Sequence, residues 1–473
     1  MTVEHLDVVI VGAGLSGVGA ACHLARECPD RTYAVLEARD AIGGTWDLFR
    51  YPGVRSDSDM FTLGYSFRPW PGDKTLADGA SILDYVRATA REHGVEDRVR
   101  YGNKAVAADW DGTRWTVRIA GKPDLTCDFL FTCTGYYSYD QPYAPVFPGA
   151  GEFTGRLVHP QHWPADLDHA GKRVVVIGSG ATAVTLVPAM AETAAHVTML
   201  QRTPSWIVSL PSRDKLADVL RRRLPAKAAA SVVRWKNVLL MTAGYQLSRR
   251  RPALMKRLIR SGIRRRLPAL AMDPHFSPPY DPWDQRLCFV PDGDLFTAIG
   301  SGRASVVTDR IDRFTPTGIR LASGTELPAD VVVSATGLTL LALGGMRLSV
   351  EGRPVVLADT VAYKGMMLSG VPNFALALGY TNASWTLKCD LVSEYVCRLL
   401  NHMARTGARV VVPQRPPAGP LEPIIDLTAG YVLRGLADLP RQGPTTPWRL
   451  HQNYLRDLLA LRRGPLTDGV VFR

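Results

Sequence analysis

Two short runs of glycine in this sequence are spaced to hold a pyrophosphate. The first, "DVVIVGAGLSG", carries an apolar run from Asp7 to Val11 into Gly12, Gly14 and Gly17. Glycines at these gaps permit a tight turn and let backbone N–H groups approach a phosphate at the positive end of a following helix. The next apolar run ends in Glu37, 20 residues after Gly17, where a carboxylate accepts hydrogen bonds from ribose hydroxyls. The second, "GKRVVVIGSGATA", offers Gly178, Gly180 and Ala183, and the run after it, "HVTMLQR", ends in Arg202 instead of an acid. A guanidinium there pairs with a 2′-phosphate, whereas Glu37 would repel one. The first cradle therefore suits FAD and the second NADPH.

Two longer spellings narrow the reading. Between the glycine units lies "FTGRLVHPQHWP", with Phe153, Gly155, His159, Trp163 and Pro164 at fixed gaps. It resembles the fingerprint of type I Baeyer–Villiger monooxygenases. Related N- and S-oxygenating flavin monooxygenases share the Phe, Gly and His but usually carry Tyr where this chain has Trp163. A second motif of that family is matched by "GGTWDLFRYPGVRSDSD", which contains Gly44, Thr45, Trp46 and Asp57. Within the family the chain resembles the ethionamide-activating monooxygenases, through "DPHFSPPYDPWDQRLCFVPDGDLF" and "GYTNASWTLKCDLVSEYVCRLL". The resemblance implies a flavoenzyme that uses NADPH and O2 to turn hydrophobic ketones into esters through a C4a-peroxyflavin, and that also oxidises thioethers or thioamides. An S- or N-oxygenating enzyme without significant ketone oxidation is the alternative.

The resemblance also implies roles. Arg286, in "WDQRLC", occupies the position of the family's active-site arginine, and Asp57 that of its partner carboxylate. A guanidinium does not lose its proton, so it suits the negative charge that develops when a peroxide attacks a carbonyl. Outside these motifs, a structural ion-pair arginine and a loop-capping aspartate would be the ordinary readings. Gly44, Thr45 and Trp46 fall beside the flavin, Trp46 equally as core, and Thr203 falls beside Arg202. Phe153, Gly155, His159 and Trp163 are expected to act as hinge residues that couple domain movement to turnover, not as acid–base groups. One position departs from the pattern: Gln285 stands where many relatives have a lysine that helps bind the 2′-phosphate.

These residues must be positioned by strands and helices. Each glycine unit reads as strand, turn, helix and strand. Two further apolar runs, "DFLFTCTG" and "DVVVSATG", close on Thr-Gly as if the chain crossed between domains there. The expected fold is α/β, with two Rossmann-like dinucleotide-binding domains, the second inserted in the first, and a basic helical insert. The FAD domain is expected from 1–145 and 340–473, the NADPH domain from 150–212 and 286–338, and the insert from 213–285. "VVPQRPPAGPLEP" reads as a connector, and Leu450, Tyr454, Leu455 and Leu458 share one face of an expected C-terminal helix.

Composition sets the remaining bounds. At 473 residues, 46% hydrophobic and 21% charged, the chain is ordinary globular material for two or three domains. Its seven cysteines form no CxxC pair, which argues against a disulfide reductase and a zinc site and for reduced thiols in a cytoplasm. No metal site is expected. Net charge is +12, yet Arg213 to Leu267 holds 17 Lys/Arg against Asp214 and Asp218, so the rest of the chain is slightly acidic. Leu216, Val219, Leu220, Leu254, Leu258 and Ile259 recur there at helical spacing. That pattern fits a helical face packed on the body with its charges in water, or a peripheral contact with anionic lipid. No nucleic-acid motif accompanies the charge. The longest apolar run outside the first glycine unit, "NVLLMTAGYQL", is too short to span a bilayer.

Overall fold

The computed structural model describes residues 3–473. Glu4–Val11 is an interior strand of the first sheet, paired in parallel with Tyr33–Leu36 on one side and Leu125–Thr132 on the other. Val8, Val9 and Ile10 are fully buried, as a parallel strand covered on both faces requires. Beyond Leu125–Thr132 the sheet turns antiparallel through Trp115–Ile119 and Ala105–Trp110. It then gains Arg347–Val350 and Arg353–Pro354 from late in the chain, while Phe374–Leu376 also joins Leu125–Thr132. Distant parts of the chain thus build one nine-stranded sheet.

The second sheet is wholly parallel, in the order Ala304–Thr308, His196–Gln201, Arg173–Ile177, Val331–Ser334, Arg156–Val158. All five strands fall between the early and late strands of the first sheet. Two Rossmann-like units, one inserted in the other, are therefore the observed architecture. The helix Trp385–Thr406 lies against Leu15–Glu27 and closes the larger core.

The basic insert forms three helices, Lys215–Arg223, Ala226–Arg250 and Pro252–Arg266. Asp214 starts the first by accepting from the Leu216 and Ala217 N–H groups at 3.0 and 3.1 Å. The docked face matches the one the apolar spacing suggests only at Ile259, which is buried, and Leu220, which packs partly buried on the core. Ala217, Ala229, Val233, Val238, Ile259 and Ile263 are buried, whereas Leu216, Val219, Leu254 and Leu258 are exposed. The helices seat through these smaller and β-branched residues and through Arg234, which donates to the Gly64 carbonyl at 2.7 Å. Most of the larger leucines are left outside.

The C-terminal helix runs Tyr454–Arg462, capped by Asn453, so Leu450 belongs to the preceding loop. Tyr454 and Leu461 are its buried residues. All seven cysteines are buried and unpaired. Among the described residues, no helix is long and apolar enough to cross a membrane.

Candidate active site

A single cavity of about 1290 Å³ runs between the two sheets and is lined by both glycine turns. At its first end Gly12 has φ +101°, and a Cβ there would stand 2.7 Å from the Cys133 carbonyl oxygen. Gly17 does not face the cavity; a Cβ on it would fall inside the van der Waals shell of the Gly12 carbonyl oxygen, so it sets how closely helix and turn pack. Gly14 and Gly44 lie back to back, a Cβ on Gly44 coming 3.0 Å from the Gly14 Cα. Glu37 is buried, and its carboxylate accepts from the Ala13 N–H at 2.7 Å and the Arg39 N–H at 2.9 Å. Each oxygen keeps a lone pair for a ribose hydroxyl. Thr45 shares a 3.0 Å hydrogen bond with the Tyr139 hydroxyl, and Trp46 both lines the cavity and packs on the main core. A glycine turn open to the cavity, with one carboxylate at its far end, fits an unphosphorylated ribose dinucleotide such as FAD.

The second cradle has the same design with an opposite end. Gly178 has φ +133° and abuts Ala335, while around a Cβ on Gly180 there is nothing within 4 Å. Gly180 is the N-cap of the helix Ala181–Met190 and offers no side chain of its own, so the helix N–H groups face open space. Ala183 is fully buried between helix and sheet. Arg202 follows the strand His196–Gln201, exposed on the cavity wall, and makes no ion pair with the described residues. Ser179 donates to the Thr203 carbonyl at 2.8 Å and fixes the start of that loop. An unneutralised guanidinium at this end fits NADP(H).

Between the cradles, Arg286 and Asp57 meet side-on. Arg286 Nη2 donates to Asp57 Oδ1 at 3.1 Å, and its Nε lies 3.1 Å from Oδ2. Both residues line the cavity. Burial pulls the guanidinium pKa down, but Asp57, Tyr136, Tyr431 and Tyr137 more than offset it, and the net shift is upward. Arg286 is a fixed cation across the working pH range. The segment bearing it is tied down from two sides, by Arg249 to Asp284 at 2.7 Å and by the Thr428 N–H to the Asp284 carbonyl at 2.8 Å.

The sequence reading missed the tyrosines around Arg286. Tyr137 donates to the Tyr136 hydroxyl at 3.1 Å, Tyr136 stacks on Trp385 at 5.2 Å, and Tyr431 packs on Tyr137 at 6.4 Å. Burial raises all three hydroxyls above the ordinary phenol range, so they remain protonated. "TGYYSYD" just past the first Thr-Gly was the available signal for two of them. Tyr431 had none.

Phe153, Gly155, His159 and Trp163 stand outside the cavity lining. Arg156–Val158 is the edge strand of the second sheet, and a Cβ on Gly155 would collide with the Asp330 carbonyl and, at 2.5 Å, with Phe153. Phe153 packs edge-on to Phe314 at 5.8 Å, and Trp163 packs on the core of the second unit. His159 Nδ1 accepts from the Gln161 N–H at 3.1 Å, and burial, with His162 nearby, holds its pKa below the usual imidazole range against the upward pull of the Gly337 and Tyr143 backbone. Gln161 then donates to the Ser138 and Tyr139 carbonyls, both at 2.9 Å. Through Gln161 the motif thus ties the second sheet to the first segment that crosses between the units, and through Tyr139 reaches Thr45 in the first cradle.

With this geometry in view, the likenesses to known proteins are informative. Residues 73–228 match the model of the flavin-binding monooxygenase-like family, and residues 10–69 that of an NAD(P)-binding Rossmann-like domain. The chain is 57% identical to the FAD-containing monooxygenase EthA of Mycobacterium tuberculosis, over 98% of this chain and 97% of that one. Among solved structures it resembles OTEMO in complex with FAD and NADP, with a TM-score of 0.72 at 23% identity over 88% of this chain and 87% of the other. It also resembles an oxidised steroid monooxygenase bound to NADP, with a TM-score of 0.74 at 23% identity over 99% of both chains. The two-unit architecture is therefore a shared fold, and 57% identity to EthA over nearly the whole chain decides the family. The chain belongs to the FAD-containing, flavin-binding monooxygenases.

Proposed function

We propose that this monooxygenase carries out Baeyer–Villiger oxidation of hydrophobic ketones to esters, and that the same site oxidises sulfur compounds. Its cofactors are FAD and NADPH. FAD, when bound and reduced by NADPH, would supply activated oxygen from O2, with one oxygen atom entering the ester and the other leaving as water. Arg286 carries the reading. Held by Asp57 and unable to deprotonate, it offers Nη donors to the oxygen of a carbonyl as negative charge builds there. Asp57 orients the guanidinium and keeps the net charge of the site low. Tyr136, Tyr137 and Trp385 form an apolar wall that excludes water from the reacting atoms. Sulfur oxidation needs no such oxyanion, so an enzyme confined to it would not depend on the pair. Incubating holoenzyme, NADPH and an aryl or long-chain methyl ketone under labelled oxygen gas is expected to yield ester with one labelled atom. Hydrogen peroxide with unchanged ketone, together with sulfoxide from a thioether, would favour the heteroatom-oxygenating reading.

In this proposal Arg202 binds the 2′-phosphate and the His159 motif acts as the hinge that keeps the two cradles in register as nicotinamide arrives and departs. Arg202→Ala is expected to raise the apparent KM for NADPH by about tenfold or more and that for NADH by less than about twofold. Steady-state titration with each nucleotide checks this, and equal effects would remove Arg202 from the phosphate site.

The helical insert supports a second interaction. Nine of the seventeen exposed large apolar side chains of the described residues lie on it, including Trp235, Leu239, Leu240, Leu254 and Leu258. Lys215, Arg223, Lys227, Arg257, Arg264 and Arg265 lie among them, exposed and paired with no acid among the described residues. Apolar side chains flanked by unpaired cations suit a surface of anionic lipid. Cosedimentation is expected with phosphatidylglycerol vesicles, weakened by added salt and by Leu239→Ser with Leu240→Ser, and not with phosphatidylcholine vesicles. Equal binding to both vesicle types, or none, would remove the membrane reading.

A further inference from the structure

The second cradle contains a cation that no motif accounts for. Arg310 lies two residues beyond the strand Ala304–Thr308, and Arg202 lies one residue beyond its parallel neighbour His196–Gln201. Thr308 and Gln201 are register partners, and the Asp309 N–H donates to the Gln201 carbonyl at 3.0 Å. The two arginines therefore leave adjacent strand ends, side by side, and both line the cavity. The main chain of Arg310 is fixed: its N–H donates to Asp309 Oδ1 at 2.7 Å, and its carbonyl accepts from the Ala322 N–H at 2.9 Å. Its side chain is exposed and meets no acceptor among the described residues. The nearby acid is already engaged, since Asp309 Oδ2 accepts from the Ser323 N–H at 3.2 Å.

The position just before Arg286 is Gln285, a neutral side chain on the same cavity wall. A doubly charged 2′-phosphate at the Arg202 end would be half-neutralised by one guanidinium, and the residue ahead of Arg286 supplies no second charge. We propose that Arg310 is the second cation of the 2′-phosphate site, closing on the phosphate from the neighbouring strand as Arg202 closes from its own. The proposal rests on the assignment of the second cradle to NADPH. It makes the preference for NADPH over NADH a property of two strand ends rather than one.

The test uses the FAD-loaded enzyme and ligand binding, independent of turnover. Calorimetric titration with 2′,5′-ADP and with 5′-AMP isolates the 2′-phosphate, and Arg310→Gln removes the charge while keeping a polar side chain. The expected result is an affinity for 2′,5′-ADP about tenfold lower in Arg310→Gln, the scale of one charge-assisted contact, with that for 5′-AMP changed less than about twofold. Arg310→Lys should recover part of the loss, and added salt should narrow the gap between wild type and Arg310→Gln. Unchanged 2′,5′-ADP binding would make Arg310 a surface cation. An equal loss for both ligands would place it against the adenine or in the loop's own stability, and either result overturns the proposal. Arg202→Ala run alongside separates the levels: if it also leaves the 2′-phosphate preference intact, the assignment of the whole cradle fails, not Arg310 alone.

Discussion

Arg286→Ala is expected to lower the rate of ester formation by about a thousandfold while NADPH still bleaches the flavin at close to the wild-type rate. The split follows from where the side chain lies. In the proposed reading Arg286 bears on the carbonyl oxygen, whereas the two dinucleotides would be held by the glycine turns, Glu37 and Arg202, to none of which it is hydrogen-bonded. Removing the guanidinium leaves Asp57 on the cavity wall with its ion pair gone, an uncompensated negative charge beside a reaction that also develops negative charge. NADPH consumption should then continue uncoupled from ester, with O2 reduced to hydrogen peroxide. Arg286→Lys should recover little, because an ammonium cannot span Asp57 Oδ1 and Oδ2 side-on and still point a donor at the substrate. Asp57→Asn separates the partners: it keeps a hydrogen bond to the guanidinium but loses the charge, and a smaller fall than for Arg286→Ala is expected. Stopped-flow absorbance for flavin reduction and chromatography for ester check the two halves independently. Full ester yield from Arg286→Ala would withdraw it from the chemistry, and lost flavin reduction would make it a cofactor residue.

Much of the site was legible because its constraints are local. A turn that must bring N–H groups to a phosphate writes itself as glycine within a few residues, and the strand after it ends in a residue matched to the ribose. Gly12, Gly14, Glu37, Gly178, Gly180 and Arg202 could be placed for that reason, and all six line the cavity. Gly17 and Ala183 share the spacing but serve the packing beneath it. The tyrosines beside Arg286 were hidden by distance along the chain. Tyr431 sits in the short helix Gly430–Gly435 and reaches the site because Thr428 is bonded to the Asp284 carbonyl; nothing in the spelling around it records that bond. The insert was illegible in a different way. Periodicity marks an apolar stripe on a helix without saying which stripe is covered, and here smaller residues such as Ala229 and Val233 dock while Leu239 and Leu240 face outward.

The two kinds of glycine lead to a second large effect. Gly17→Ala is expected to destabilise the protein by ~2 kcal/mol or more, the scale of an unrelieved overpacking, and to yield protein with little bound flavin. Its added methyl would meet the Gly12 carbonyl oxygen, backbone against backbone, and helix and turn can separate only by breaking the cradle. Gly180→Ala should behave differently. Gly180 has φ −79° and ψ −174°, a conformation open to alanine, and nothing within 4 Å of the added methyl. The nucleotide-free protein should then melt like wild type, while NADP+ affinity falls by about tenfold or more because the methyl occupies the path of the pyrophosphate. Gly14, with φ −78° and its nearest neighbour 3.5 Å from an added Cβ, belongs with Gly180 and predicts a folded protein that loses flavin. Thermal melts read by tryptophan fluorescence, alongside flavin-to-protein ratios and NADP+ titrations, distinguish the classes. If Gly180→Ala melted early, its glycine would be serving the chain. If it bound NADP+ normally, the pyrophosphate would run elsewhere, and the second cradle would have to be rebuilt around Arg202 from a different approach.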